Sequence, residues 1–167
     1  MSLNASDRRE GDVGYPFVMA DPIAEMNRCE YLFLAEIQHP DYHSLRFVIE
    51  EGRPAGETGP LEIAGAVISG GTRIDVTEES QCFELLWDSY IAYAVLNESF
   101  ALPADADECY VGKLFRVYSK SHFIDYLARA AFAASEYPGP AKHYEIACQD
   151  HIIEVVSIKD PMVSRLR

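Results

Sequence analysis

Apolar and polar residues follow their clearest periodic pattern in the last third of the chain. Residues 113–118 (KLFRVY) are aromatic and β-branched, which predicts a strand. Residues 121–135 carry apolar side chains at intervals of three and four, the stripe of an amphipathic helix. We predict the principal helix over about 121–135, with the hydroxyl of Ser119 or Ser121 as its N-cap. Pro138 lies beyond this helix, because proline cannot donate the backbone hydrogen bond that a helix needs.

Short alternating segments predict strands along most of the remaining chain. The predicted strands are residues 30–37, 45–51, 72–76, 81–87, 90–96, 113–118, 143–148 and 152–158. The first two pair as a hairpin, since a Pro-Asp turn signal separates them. A competing interpretation makes residues 23–35 a helix. Residues 90–96 are apolar on both faces, which predicts a central strand.

Segments rich in glycine, proline or acidic residues separate these elements. Residues 52–71 predict a long surface loop, with one apolar island at 63–68 that is compatible with an edge strand. Residues 101–108 (ALPADADE) predict an acidic loop. The expected organisation is a loose N-terminal arm (1–25), one domain (26–160) and a C-terminal tail (161–167).

The predicted fold class is α+β. With 167 residues the chain suits one domain. A strand, a helix and two further strands in succession favour a helix lying on a sheet. We therefore expect a single domain in which a curved, mainly antiparallel sheet of about six to eight strands packs on one principal helix.

Composition limits the possible functions. The net charge is −13, which argues against binding to a nucleic-acid backbone, since that requires a basic surface. No apolar run reaches the length of a membrane span, and the first residues carry no secretory signal, so we expect a cytoplasmic protein without a membrane partner. The four cysteines lack paired spacing and are expected to be reduced. No cofactor motif is present, and we predict no cofactor.

The negative charge is concentrated in the middle of the chain. Residues 72–110 contain nine acidic residues and one basic residue, Arg73. Such a segment is either an ordinary solvated face or a docking surface for a cationic protein. The residues predicted to bind that partner are Asp75, Glu78, Glu79, Asp105, Asp107 and Glu108.

Four acid–base candidates lie near predicted helix or strand ends. His122 and Asp125 are three residues apart at the helix start, where a His–Asp pair can polarise a water molecule. The ordinary interpretation is a carboxylate favoured by the helix dipole. Glu98 and Asp88 flank the predicted strand 90–96, and paired carboxylates can serve acid–base chemistry or hold a cation.

Cys148 and His151 are the candidate metal ligands. They flank the predicted turn at residues 149–150, but structural zinc takes four ligands and only two converge here. Cys148 with His143 or His151 is also a candidate nucleophile and base, although alternation places His143 on the opposite face of the strand. A buried cysteine beside a surface histidine is the ordinary interpretation. We assign no catalytic residue from the sequence.

Three segments resemble a family of small, uncharacterised, acidic bacterial proteins. They are residues 82–100 (CFELLWDSYIAYAVLNESF), 112–127 (GKLFRVYSKSHFIDYL) and 137–157 (YPGPAKHYEIACQDHIIEVVS). The resemblance implies a bacterial cytoplasmic origin. In size and charge the chain also resembles immunity proteins that neutralise toxins, without a shared motif.

Two hypotheses about function remain. The first is a non-enzymatic protein-binding module, immunity-like, that docks a cationic partner through its acidic face. The alternative is a small-molecule-binding protein or hydrolase-like enzyme with a pocket between sheet and helix. Titratable groups with shifted pKa values converging in a pocket favour the alternative, whereas a broad acidic surface favours the first.

Overall fold

Ten strands and two α-helices occur within the residues that the computed structural model describes, which are 21–63, 65–132 and 137–167. The helices are α1 (Pro22–Met26) and α2 (His122–Ala130). The strands are β1 (Tyr31–Gln38), β2 (Leu45–Ile63), β3 (Ala66–Asp75), β4 (Cys82–Trp87), β5 (Ala92–Asn97), β6 (Cys109–Val111), β7 (Phe115–Lys120), β8 (Lys142–Ala147), β9 (His151–Ser157) and β10 (Met162–Arg165).

The strands form two five-stranded antiparallel sheets. The first sheet has the order β1-β2-β4-β10, and β3 pairs with the distal part of β2. The second sheet has the order β5-β9-β8-β7-β6. The predicted antiparallel character is confirmed, and α2 is the longer helix. The expectation of one sheet packed on a helix is wrong, because a second sheet covers the apolar face of the first.

The hydrophobic core lies between the two sheets. Successive strand residues point to opposite faces, so each strand contributes every second side chain to this core. The first sheet contributes Leu32, Leu45, Phe47, Ile49, Phe83, Leu85 and Trp87, and the second contributes Phe115, Tyr144, Ile146, Ile153 and Val155. The rings of Trp87 and Tyr144 meet edge to face, with centroids 5.6 Å apart, and join the two layers.

Helix α1 packs at one end of the core and contacts both sheets. Asp21 caps it, because its Oδ1 accepts a hydrogen bond from the amide of Ile23 at 3.0 Å. Met26 is fully buried. The alternative helix over 23–35 is wrong beyond Met26, since β1 begins at Tyr31 and pairs with β2. Of the predicted loose arm 1–25, residues 1–20 lie outside the described residues, and the remainder contributes to α1.

Asn27 fastens the end of α1 to the second sheet. Its Oδ1 atom accepts hydrogen bonds from the backbone amides of Lys113, Leu114 and Phe115 at 2.9, 2.8 and 2.9 Å. These amides immediately precede or begin β7. One side chain thereby holds the start of β7 against the end of α1.

Helix α2 covers part of the outer face of the second sheet. Ser121 is its N-cap and accepts a hydrogen bond from the amide of Ile124 at 3.1 Å, which confirms one of the two predicted caps. Its apolar side includes the buried Leu127, and Phe123 contacts the ring of His143 with centroids 5.5 Å apart. The helix ends at Ala130, earlier than predicted, and residues 133–136 lie outside the described residues.

Two predicted irregular segments are strands. Most of residues 52–71 belong to the hairpin of β2 and β3, whose register shifts between Ala55 and Leu61. Gly56 has a φ of +82°, which glycine adopts without strain. The predicted tail 161–167 contains β10, which pairs with β4. Its short sequence has too few residues for a periodic signal, and the pairing partner is distant in the chain.

Strand β5 lies at an edge of the second sheet, not at its centre as predicted from residues 90–96. Tyr93 and Val95 face the core. The opposite side chains are Ala92, Ala94 and Leu96, which lie on the outer face. That outer face also borders a cleft, which explains why both sides of this strand are apolar.

Candidate functional site

A row of three charged side chains crosses the outer face of the second sheet. The register places Arg116 of β7 opposite Glu145 of β8, and Glu145 opposite Glu154 of β9. Side chains alternate between the core and the outer face along each strand. The residues next to these three in the chain face the core, so the three charged side chains point away from it. Two like charges directly opposite each other destabilise a sheet, which makes the Glu145–Glu154 pair unusual.

Glu145 is fully engaged by its own chain. Nη1 of Arg116 donates to its Oε1 at 2.6 Å, and the hydroxyl of Tyr118 donates to its Oε2 at 2.5 Å. Hydrogen bonds of this kind are short because the acceptor is charged. Burial, and then the adjacent Glu145, raise the pKa of Tyr118 well above its usual value. Tyr118 therefore stays a donor at physiological pH.

Glu154 lacks such a partner. Among the described residues its carboxyl group accepts no hydrogen bond shorter than 3.5 Å, and its side chain is 23% exposed. Burial, followed by the charges of Glu145 and Glu108, raises its pKa from 4.5 to about 7. Glu154 is therefore held protonated to a much higher pH than an exposed glutamate.

His143 of β8 lies on the same face of the sheet as Glu154 and is 1% exposed. Its ring stacks on Tyr118 with centroids 4.5 Å apart, and within the described part of the chain neither ring nitrogen has a hydrogen-bond partner. Its Nε2 lies 3.8 Å from Oε1 of Glu154. Burial lowers the pKa of His143 from 6.5 to about 4. The contact is therefore a pair of neutral groups near pH 6, not an ion pair.

Arg116, Tyr118, Glu145 and Glu154 form one side of an open cleft of about 380 Å³. The connection between β5 and β6 covers the opposite side, and the start of β1 closes one end. The acidic residues that line the cleft are Glu30, Glu98, Glu108, Glu145 and Glu154. Arg116 is the one basic residue among its described lining, and its guanidinium already binds Glu145. Leu96, Leu114 and Ile152 supply apolar surface.

The acidic loop is attached to the start of α2. Nε2 of His122 lies 3.0 Å from Oδ2 of Asp105, and the backbone amide of His122 donates to Oε1 of Glu108 at 3.0 Å. Asp105 raises the pKa of His122, and His122 lowers that of Asp105. Lys120 lies 3.6 Å from Asp107. These contacts hold Glu108 at the wall of the cleft.

Asp105, Glu108 and His122 also place their ligand atoms within 4.8 Å of one another. Carboxylate and imidazole groups of this kind are able to bind a divalent cation. No other group of three potential ligands occurs within 21–63, 65–132 and 137–167. The predicted ligands Cys148 and His151 do not belong to it. Their backbones form the β8–β9 turn, and burial raises the pKa of the Cys148 thiol.

The remaining acid–base candidates are brought together only in part. His122 and Asp125 line one exposed depression on α2, but no hydrogen bond joins them among the described residues, and Nε2 of His122 contacts Asp105 instead. Glu98 lines the cleft, but Asp88 lies on a different surface, beside residues 40–44. His143 and Cys148 lie on opposite faces of the β8 segment, as predicted, with His143 on the outer face and Cys148 in the core.

The six residues predicted to bind a cationic partner fall into two groups. Asp75, Glu78 and Glu79 lie at the β3–β4 connection of the first sheet, where Arg73 pairs with Asp75 at 2.9 Å. Asp105, Asp107 and Glu108 lie beside the second sheet. No hydrogen bond or ion pair joins the two groups in the described part of the chain. Of the six, only Glu108 lines the cleft.

No local sequence pattern groups Arg116, Tyr118, His143, Glu145 and Glu154 into one site. The available signal was a single acidic residue inside each of two apolar strand segments, HYEIA and HIIEVVS. An acid at such a position is buried only if it has a partner or a function.

Comparisons with protein-family models, with curated proteins and with solved structures found no match. Among the described residues, no helix has both the length and the apolar character needed to cross a membrane.

Proposed function

We propose that the chain is a non-enzymatic protein-binding module that docks a cationic partner, and that the cleft on the second sheet is the centre of the docking surface. One observation carries this proposal. Five glutamates line the cleft, and its one described basic residue, Arg116, is already bound to Glu145. Unbalanced carboxylates in a concave surface attract a positive group from outside.

A lysine or arginine side chain of the partner fits this chemistry. Its charged end would lie beside the glutamates, and its aliphatic stem would pack on Leu96 and Ile152. Phe100 and Leu102, which are 82% and 91% exposed, offer apolar contact near the cleft. Partner surfaces of this kind commonly combine an apolar centre with charge complementarity.

An immunity-like role is one form of this function, in which the module covers a basic site on a toxin. The cleft repels phosphate groups for the same electrostatic reason that it attracts cations, so a nucleic-acid partner is disfavoured. The resemblance of residues 82–100, 112–127 and 137–157 to small acidic bacterial proteins is compatible with this role but assigns no partner.

A hydrolase-like enzyme is the second candidate, and the Glu145–Glu154 pair favours it. Directly opposite residues of an antiparallel pair have Cβ atoms about 4.5–5.5 Å apart. Glycoside hydrolysis uses two neighbouring carboxyl groups with different protonation states, one as acid and one as nucleophile. Turnover of aryl glycosides that is lost in both Glu145→Gln and Glu154→Gln would favour this candidate over docking.

Capture of partners from a bacterial lysate at low and high salt tests the docking proposal. The wild type is compared with a cleft variant, Glu98→Gln with Glu108→Gln, and with a connection variant, Glu78→Gln with Glu79→Gln. Glutamine keeps the shape and the acceptor that Glu108 offers to His122. We expect a basic protein that is released by salt, lost by the cleft variant and retained by the connection variant. Retention by the cleft variant would contradict the proposal.

A further inference from the structure

The end of the charged row at Glu154 differs from the rest of the cleft. Glu145 has two donors, Arg116 and Tyr118, whereas the carboxyl group of Glu154 faces the cleft with no donor among the described residues. The β7–β8 register places Arg116 opposite Glu145, and the β8–β9 register places Glu154 opposite Glu145. An external cation therefore makes its most favourable electrostatic interaction in the cleft at the Glu154 carboxyl group.

We propose that one ammonium or guanidinium group of the partner binds beside Glu154 and replaces a proton there, so that docking releases a proton. This inference rests on the proposed docking function and adds the chemical identity of the bound group. In the empty cleft the neutral carboxylic acid avoids a second negative charge beside Glu145 and Glu108. When a cation enters, the carboxylate forms and the proton passes to solvent.

His143 supports this inference independently. It is an imidazole with two unpartnered ring nitrogens, 1% exposed, and its Nε2 is directed at Glu154 from 3.8 Å. A protonated His143 would supply the missing cation internally. Its burial against Tyr118 and Phe123 keeps the imidazole neutral at physiological pH. The compensating charge must therefore come from the ligand.

Apart from Arg116, the charged side chains around Glu154 are all acidic. Strand β7 contributes Arg116 and Tyr118, strand β8 contributes Glu145, and the segment that closes the cleft contributes Glu98 and Glu108. The buried His143 of β8 contacts Glu154 from outside the cleft lining. The residue opposite Glu154 on β5 is Ala94, which is uncharged. Since Arg116 bonds to Glu145, no group in this set neutralises an ionised Glu154.

Binding must then strengthen as pH rises. The competent carboxylate form of Glu154 is about one tenth of the total at pH 6 and about nine tenths at pH 8, because its pKa is about 7. The apparent affinity scales with that fraction, so it should increase roughly tenfold between these pH values. At pH 7 about half a proton is released for each cation bound.

The probe for this test is a triarginine peptide with blocked ends, which has no group that titrates between pH 6 and pH 8. Calorimetric titration in two buffers of different ionisation enthalpy gives both affinity and proton release. We expect the tenfold pH dependence in the wild type and its loss in Glu154→Gln. Glu57→Gln, an exposed acid of the β2–β3 hairpin, is the matched control and should keep the dependence.

The other outcomes separate the proton exchange from the docking proposal. If the wild type binds the peptide equally at all pH values, or if Glu154→Gln keeps the slope, the proton exchange is overturned. Should the Glu98→Gln, Glu108→Gln variant then still weaken binding, the docking proposal stands without the exchange. Absence of any wild-type binding overturns both. As a second measurement, carbon-detected NMR of the Glu154 carboxyl group should show titration near pH 7, and titration below pH 5 overturns the inference.

Discussion

Nε2 of His143 lies 3.8 Å from Oε1 of Glu154, and burial shifts the pKa values of the two groups in opposite directions. The pKa of the histidine falls from 6.5 to about 4, and that of the glutamate rises from 4.5 to about 7. Both side chains are therefore neutral around pH 6. Their effects on the pH dependence of stability have opposite signs between about pH 4.5 and 6.5, so the wild type shows only their difference in that range.

Replacing Glu154 by glutamine should stabilise the protein at alkaline pH. A raised carboxyl pKa contributes stability that is present below pH 4.5 and is lost as pH rises through about 7. Glu154→Gln removes this loss, so its gain over the wild type should grow between these pH values by roughly 2–3 kcal/mol. Urea unfolding at pH 4.5 and pH 8 measures the difference. A gain that is equal at both pH values would show that Glu154 is not held protonated.

Replacing His143 by phenylalanine should remove an acid sensitivity. A lowered histidine pKa contributes stability that is present above pH 6.5 and is lost as pH falls through about 4. His143→Phe abolishes that loss, which is worth roughly 3 kcal/mol. The relevant readout is the slope of unfolding free energy against pH, not its absolute value, because phenylalanine also changes packing. The same acid slope in variant and wild type would contradict a neutral buried histidine.

Asn27 should contribute more to stability than an ordinary surface asparagine. Asn27→Ala leaves the amides of Lys113, Leu114 and Phe115 without their acceptor, which should cost about 2–3 kcal/mol. Asn27→Asp keeps the oxygen and should lose much less. Chemical unfolding of both variants checks this. Equal losses would mean that the three hydrogen bonds are not the cause.

The C-terminal strand should be part of the folded unit. Deleting residues 162–167 removes the pairing of β10 with β4 and the contact of Val163 with the core. We expect a loss of roughly 2 kcal/mol of unfolding free energy. Leu166→Ala, at a side chain that is 51% exposed, is the control and should be nearly neutral. A deletion without measurable effect would restore the interpretation of this segment as a tail.

Local patterns predicted the local structure. The hairpin of β1 and β2, the Ser121 cap and the β8–β9 pair each depend on residues close in sequence, so periodicity and turn signals were sufficient. The separation into two sheets depends on which distant strands pair, and no local pattern encodes this. Strand β10 was missed for the same reason.

The cleft could be predicted only in part. Glu98 was identified from its position after an apolar strand, and Glu108 from the acidic loop. Glu145 and Glu154 are directly opposite only after β8 and β9 pair in their observed register. Arg116 joins them through a second pairing. The convergence of these three side chains is a property of the sheet, and it is not visible in any one segment.

The most direct test of the docking site is the affinity of the blocked triarginine peptide for three forms of the protein at low salt. The wild type is compared with Glu98→Gln, Glu108→Gln and with Glu78→Gln, Glu79→Gln. Neutralising two glutamates next to a bound cation should weaken binding about tenfold, or roughly 1.4 kcal/mol. We predict that loss in the cleft variant and a change of less than about twofold in the other. An equal or larger loss in the variant of the β3–β4 connection would contradict a binding site on the second sheet.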